Sequence, residues 1–101
     1  MGDVSNKKVL DAGSGEGFFL ANLNCKEKLG IEISEKRIAK AQKLFPEINI
    51  QLADVRDLPF DDNSFDVIVC SEVLEHVSNY EKAISEFKRC IKPDGYLVLS
   101  F

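Results

Sequence analysis

Residues 7–33 read KKVLDAGSGEGFFLANLNCKEKLGIEI, and this stretch decides the architecture. Residues 7–12 form a first strand, closed by Gly13, Gly15 and Gly17. Glycines at alternate positions let the backbone turn tightly and come close to a ligand. Residues 17–24 then form a short helix with Phe19, Leu20 and Leu23 as its inward face, and its free N–H groups point at the same spot. Residues 28–33 (KLGIEI) return as a second strand. A glycine loop gains meaning from this context, a strand before it and a helix after it. The dinucleotide fingerprint is not met, because its third glycine falls at position 18 and Phe18 stands there. Nothing resembles a phosphate-binding lysine loop. The loop suits a nucleoside-type ligand that carries no phosphate.

The same alternation continues outward. Ser34 sits where an N-cap belongs and Glu35 in the favourable first turn. The helix runs to about Phe45, with Ile38, Ala41 and Phe45 near one face, and Pro46 stops it. Residues 48–53 (INIQLA) alternate as a third strand. Pro59 and the polar residues 61–64 make a loop. Residues 65–70 (FDVIVC) are nearly all apolar, as in a strand buried on both faces of a parallel sheet. Ser78 and Glu81 form a capping-box pattern, and Tyr80, Ile84, Phe87 and Ile91 follow at helical spacing as the buried stripe. Residues 92–95 (KPDG) are a turn, and residues 96–101 (YLVLSF) a fifth strand.

Strands separated by helices predict an α/β fold, a doubly wound (Rossmann-like) parallel sheet. Ligands of such sheets sit at the carboxyl ends of the strands. The site is therefore expected among residues 11–17, 32–34, 54–57 and 70–77.

At 101 residues, the chain allows one domain, residues 1–101. A formal net charge of −4 argues against a broad footprint on nucleic acid or anionic membrane. An RNA acceptor stays open, since a partner could carry the basic surface. The longest apolar run is too short to span a bilayer, and no signal-peptide pattern opens the chain. Cys25, Cys70 and Cys90 are odd in number and lack CxxC spacing, so they read as reduced packing cysteines of a cytoplasmic protein.

Two acids stand at informative places. Glu32 ends the second strand, where a carboxylate can accept hydrogen bonds from both hydroxyls of a ribose. The plainer alternative is a solvated acid near a helix start. Asp54 follows the third strand beside Val55. A carboxylate there can accept from an exocyclic amine while a neighbouring backbone N–H donates to a ring nitrogen; the plainer alternative is an ordinary turn aspartate.

Taken together, the motifs resemble the class I S-adenosylmethionine-dependent methyltransferase domain. VLDAGSGEG resembles its first motif, GIEIS its acidic second motif and ADVRDLPF its adenine-contacting segment. FDVIVCSEVLEHV resembles the fourth strand and its exit, and IKPDGYLVLS the turn and fifth strand. The resemblance implies strand order 3-2-1-4-5, with S-adenosylmethionine as cofactor and S-adenosylhomocysteine as product. It implies that Asp11 shapes the loop or holds the amino group of the methionine moiety, and that Gly13, Gly15 and Gly17 pass beneath the cofactor. Glu32 would hold the ribose, Asp54 and the Val55 backbone the adenine, and Ser71 the methionine end. Ser14 and Ile33 complete the cofactor-binding set. The methyl acceptor is expected to be a small molecule.

His76 stands beside the expected methyl-donor end. One reading makes it a general base, since imidazole suits proton transfer near neutral pH. A second takes Glu72, Glu75 and His76 as ligands of magnesium or manganese, because relatives acting on small-RNA 3′ ends and some quinone O-methyltransferases resemble this E-x-x-E-H spacing. A third, which outweighs the other two, leaves the segment packing or lining the pocket, as similar LEH segments do in relatives without a metal. The lack of a second histidine counts against the metal. Against the family pattern, the chain lacks the last two strands and the helices before the first strand. That predicts an incomplete core and non-catalytic binding as an alternative function. Were these residues the whole polypeptide, residues 96–101 would be an exposed apolar edge, and self-association through them is expected.

Overall fold

A computed structural model describes residues 2–71 and 73–100; Met1, Glu72 and Phe101 lie outside the described residues. The chain runs β1 (Lys8–Ala12), α1 (Phe18–Asn22), β2 (Glu27–Glu32), α2 (Glu35–Leu44), β3 (Ile50–Leu52), β4 (Phe65–Ser71), a 3₁₀ turn (Leu74–His76), α3 (Tyr80–Cys90) and β5 (Ile91–Ser100). The strands form one sheet in the order β3-β2-β1-β4-β5, and every pairing is parallel. The strand order reverses beside β1, so the exits of β1, β2 and β4 converge at one end of the sheet.

The alternation along β1 distributes the core. Leu10 and Ala12 join Ile31, Ile68 and Cys70 under Ala83, Phe87 and Cys90 of α3. Val9 faces the other way, with Val4, Val67 and Val69. A third cluster, Leu20, Ala41, Ile48 and Ile50, fastens α1 and α2 to the β3 side. Phe87 is wholly buried, which contributes about 1.5–3 kcal/mol relative to exposure.

Local chemistry explains most boundaries. Ser34 caps α2, its Oγ accepting from the Arg37 N–H at 3.2 Å. Gly17, immediately before α1, has φ +88°, and an added Cβ would lie 2.5 Å from Ile48 Cδ1. Glycine is thus needed there twice, for the backbone angle and for contact with the α2 side. Gly17→Ala is expected to lower the unfolding free energy by about 2–4 kcal/mol, from the left-handed backbone and the overpacking together, as read by urea denaturation.

Five expectations need correction. The first helix ends at Asn22, and being so short it turns only Leu20 fully inward. Phe19 is 43% exposed, and Leu23, beyond the helix, is half-buried beside Val4 and Val9. The third strand is shorter than residues 48–53, since pairing with β2 covers only Ile50–Leu52 at the sheet edge. The Ser78–Glu81 capping box does not form. Asn79 (φ 56°) precedes the helix, and the Ser78 hydroxyl accepts from Arg56 instead. The stripe of α3 is Ala83, Phe87 and Cys90, while Tyr80 is 44% exposed. Lastly, pairing with β4 begins at Ile91, before the expected turn. Phe65 opposes Ile91 and Val67 opposes Tyr96, so the KPDG segment is an irregularity within the paired edge.

The loop from β3 to β4 is tied to α3. Leu58 N–H donates to Glu86 Oε1 at 2.8 Å, and Arg89 donates to the carbonyls of Phe60 at 2.7 Å and Leu58 at 3.0 Å. These bonds hold residues 54–57 against the sheet end.

Candidate active site

A cavity of about 570 Å³ opens at the carboxyl ends of the strands, within the usual range for small-molecule sites. Its lining comes from all four expected segments: Gly13; Glu32, Ile33 and Ser34; Asp54, Val55 and Arg56; Val73 and His76. Ile31, Arg37, Ala53, Val77 and Ser78 complete it. Asp11, Ser14, Gly15, Gly17 and Ser71 do not line it.

Most of those five residues lie in the loop behind the cavity. The N–H groups of Gly13 and Ser14 both donate to the Ile31 carbonyl at 2.9 Å, and Ser14 Oγ donates to the same oxygen at 3.3 Å. The first glycine loop is thereby tied to the end of β2. An added Cβ on Gly13 (φ +85°) would lie 2.4 Å from Val73 Cγ2, so only glycine lets the β4 exit pack onto the loop. Ser71 ends β4 with its side chain exposed.

Glu32 is the organising group. It is 5% exposed and accepts three backbone N–H groups: Gly15 at 2.8 Å on Oε1, and Ile33 at 3.1 Å and Ser34 at 3.0 Å on Oε2. A carboxylate offers about four acceptor sites, so roughly one remains free on Oε1. Asp11 lies close enough to feel this charge. Burial first, and the Glu32 charge second, push its carboxyl up from 3.8 to about 6. Burial, followed by the charge of Asp11, drives the neighbouring Cys70 thiol to about 12, which suits a packing role rather than a reactive one.

Asp54 is held differently. Arg56 donates to it three times, from its backbone N–H (2.9 Å) and Nε (3.1 Å) to Oδ1 and from Nη2 (2.7 Å) to Oδ2. These hydrogen bonds hold the Asp54 carboxyl below the usual carboxylate range. The Val55 N–H makes no hydrogen bond among the described residues. Reasoning from the sequence placed Arg56 in an expected segment without singling it out, and missed Arg37. The available signal for Arg56 was its place two residues after an aspartate in a turn, where Asp side chains accept the i+2 backbone N–H.

His76 stands at the cavity wall with its side chain 79% exposed, 3.5 Å from Glu75 Oε1. Glu72, the third member of the suggested metal set, lies outside the described residues. Among the described residues, no cluster of three or more His, Cys, Asp or Glu side chains is grouped to hold a metal. Nor is any helix among them long and apolar enough to cross a membrane.

The family profile described as "Methyltransferase domain" matches residues 10–99. A "probable S-adenosylmethionine-dependent methyltransferase" of Mycolicibacterium smegmatis is 29% identical over 99 residues, covering 95% of this chain and 38% of its own length. A "ubiquinone biosynthesis O-methyltransferase" of Acinetobacter baumannii is 27% identical over 98% of this chain and 45% of its own. Among solved structures, phosphoethanolamine N-methyltransferase 1 of Haemonchus contortus, in complex with phosphoethanolamine and S-adenosylhomocysteine, superposes with a TM-score of 0.89. It is 26% identical, over 98% of this chain and 23% of that one. The chain thus spans less than half the length of each of these proteins. The profile match runs through every strand of the sheet and every segment of the cavity wall, and the chain belongs to the class I S-adenosylmethionine-dependent methyltransferase domain family.

Proposed function

We propose that this domain binds S-adenosylmethionine in the cavity at the strand ends and serves methyl transfer to a small-molecule acceptor. The observation that carries this reading is the unspent hydrogen-bonding capacity of the cavity wall. Glu32 and Asp54 each retain about one acceptor site, and the Val55 N–H retains a donor. Ile31, Ile33, Val55, Val73 and Val77 supply apolar walls between them. That donor set fits an adenosine: hydroxyls on one acid, an amine on the other, a ring nitrogen on the N–H. Asp11, buried behind the glycine loop rather than on the cavity lining, would act on the ammonium of the methionine end from there.

The cofactor when bound supplies a methyl group already activated by a sulfonium. What remains for the chain is to orient donor and acceptor and to exclude water. For an oxygen acceptor, His76 is the group at the cavity wall that would take its proton. The acceptor class is supported by two relatives whose names give small-molecule routes, one an O- and one an N-methyltransferase. Cytoplasmic placement is proposed on the free cysteines alone.

Calorimetric titration of the chain with S-adenosylhomocysteine, with a nicotinamide dinucleotide in parallel, tests the reading. Saturable micromolar binding of the first and none of the second is expected. Preference for the dinucleotide, or binding of neither by a folded chain, would overturn it.

A further inference from the structure

We propose that Arg56 is a positioning residue that sets the selectivity of the site for a purine bearing an exocyclic amine. The inference deepens the reading above and rests on it. Its ground is geometric. Arg56 joins two segments of the cavity wall: its backbone N–H, Nε and Nη2 hold Asp54, while Nη1 donates to the Ser78 Oγ at 2.9 Å and the Ser78 carbonyl at 3.2 Å. Asp54 follows β3 and Ser78 precedes α3, and Asp54, Arg56 and Ser78 all line the cavity.

Two consequences follow. An aspartate on a loop after a three-residue strand would otherwise sample several rotamers, each presenting a different oxygen to the cavity. The planar guanidinium fork locks one, with charge-assisted bonds that also keep the group ionised. The lock then does arithmetic on the lone pairs. Three of about four are filled, and the one left lies on Oδ2. A single vacant acceptor beside the unbonded Val55 N–H matches an amine hydrogen next to an unprotonated ring nitrogen. A 6-oxo purine offers the reverse pattern, an acceptor facing the carboxylate and an N–H facing an N–H. With Asp54 half-buried and the Val55 backbone buried, a ligand that pairs both groups is favoured over one that leaves them mismatched.

The test compares S-adenosylhomocysteine with the same compound carrying oxygen in place of the purine amine, titrated into the wild-type chain, Arg56→Ala and Arg56→Lys. The wild type should prefer the amine on the order of ten- to a hundredfold. Arg56→Ala should reduce that ratio by about fivefold or more, chiefly by weakening the amine compound. Arg56→Lys keeps the charge without the fork and should fall between. It also carries the test if Arg56→Ala fails the circular-dichroism check of folding. An unchanged ratio in both variants would overturn the proposal and leave the cofactor reading standing. So would tighter binding of the amine compound by Arg56→Ala, which would make the guanidinium a competitor for Asp54. A wild type that binds neither compound overturns the cofactor reading itself, and this inference with it.

Discussion

Asp11→Asn is expected to stabilise the free chain at pH 7 by up to about 3 kcal/mol, an effect that fades as the pH falls below 3.8. Burial, reinforced by the Glu32 charge, raises the Asp11 carboxyl from 3.8 to about 6 in the folded chain. Well below pH 3.8 the group is neutral whether the chain is folded or not, and it costs nothing. Between pH 4 and 6 the unfolded chain releases the proton while the native chain retains it. Native stability therefore falls as pH rises through that window, then levels off. Asparagine does not titrate, so the variant lacks this loss. Urea denaturation of both proteins from pH 3.5 to 7.5 checks the point through the difference between the two curves. Other carboxyls, notably Asp54, Asp66 and Glu86, are held low and weaken both proteins alike in acid. A difference that stays flat across pH would refute the account. On the proposed role of Asp11 toward the cofactor's ammonium, the same variant should bind S-adenosylhomocysteine about ten- to a hundredfold more weakly, because the carboxylate is lost. Stability given up at a binding site is the usual pattern for a preorganised charge.

The second large effect is expected at Glu32. Glu32→Ala strips an acceptor from three backbone N–H groups in a site where the residue is 5% exposed. Charge-assisted bonds of this kind contribute roughly 1.5–3 kcal/mol each, and they are not additive. Relief of the repulsion on Asp11 offsets part of the loss, so a net destabilisation of about 2–4 kcal/mol is expected. Gly15 should be the first to lose order, since its N–H is the only bond of the three that crosses from the first loop to β2. The Asp11→Asn, Glu32→Ala pair should be visibly non-additive in a double-mutant cycle, because the two acids act on each other. Additive effects would show that the coupling is absent. Binding of S-adenosylhomocysteine should also disappear in Glu32→Ala, and hydrogen exchange at the Gly15, Ile33 and Ser34 amides separates the collapsed loop from simple loss of a contact.

Several of these features were legible before the structure. The glycines at 13, 15 and 17, the acid ending β2 and the apolar run of β4 are each short-range patterns. The chemistry behind them, backbone freedom, strand alternation and two-faced burial, acts within a few residues. They were enough to predict the parallel α/β sheet and the four segments that meet at the cavity. The spatial order of the strands came with the family resemblance rather than from any local pattern.

What only the tertiary structure decided is the use to which those residues are put. Gly17 sits in the glycine motif, yet its missing side chain makes room for Ile48. Ser78 carries a capping pattern, yet its hydroxyl serves Arg56, because a guanidinium arriving from 22 residues away outcompetes a local cap. Glu32 was legible as an acid at a strand end. Its three amide partners depend on how β1's loop folds back over β2. Local sequence sets which conformations and which chemistry each segment can offer. Which acceptor sites are spent, and which stay open for a ligand, depends on donors brought in from distant segments, and only the packed chain brings them together.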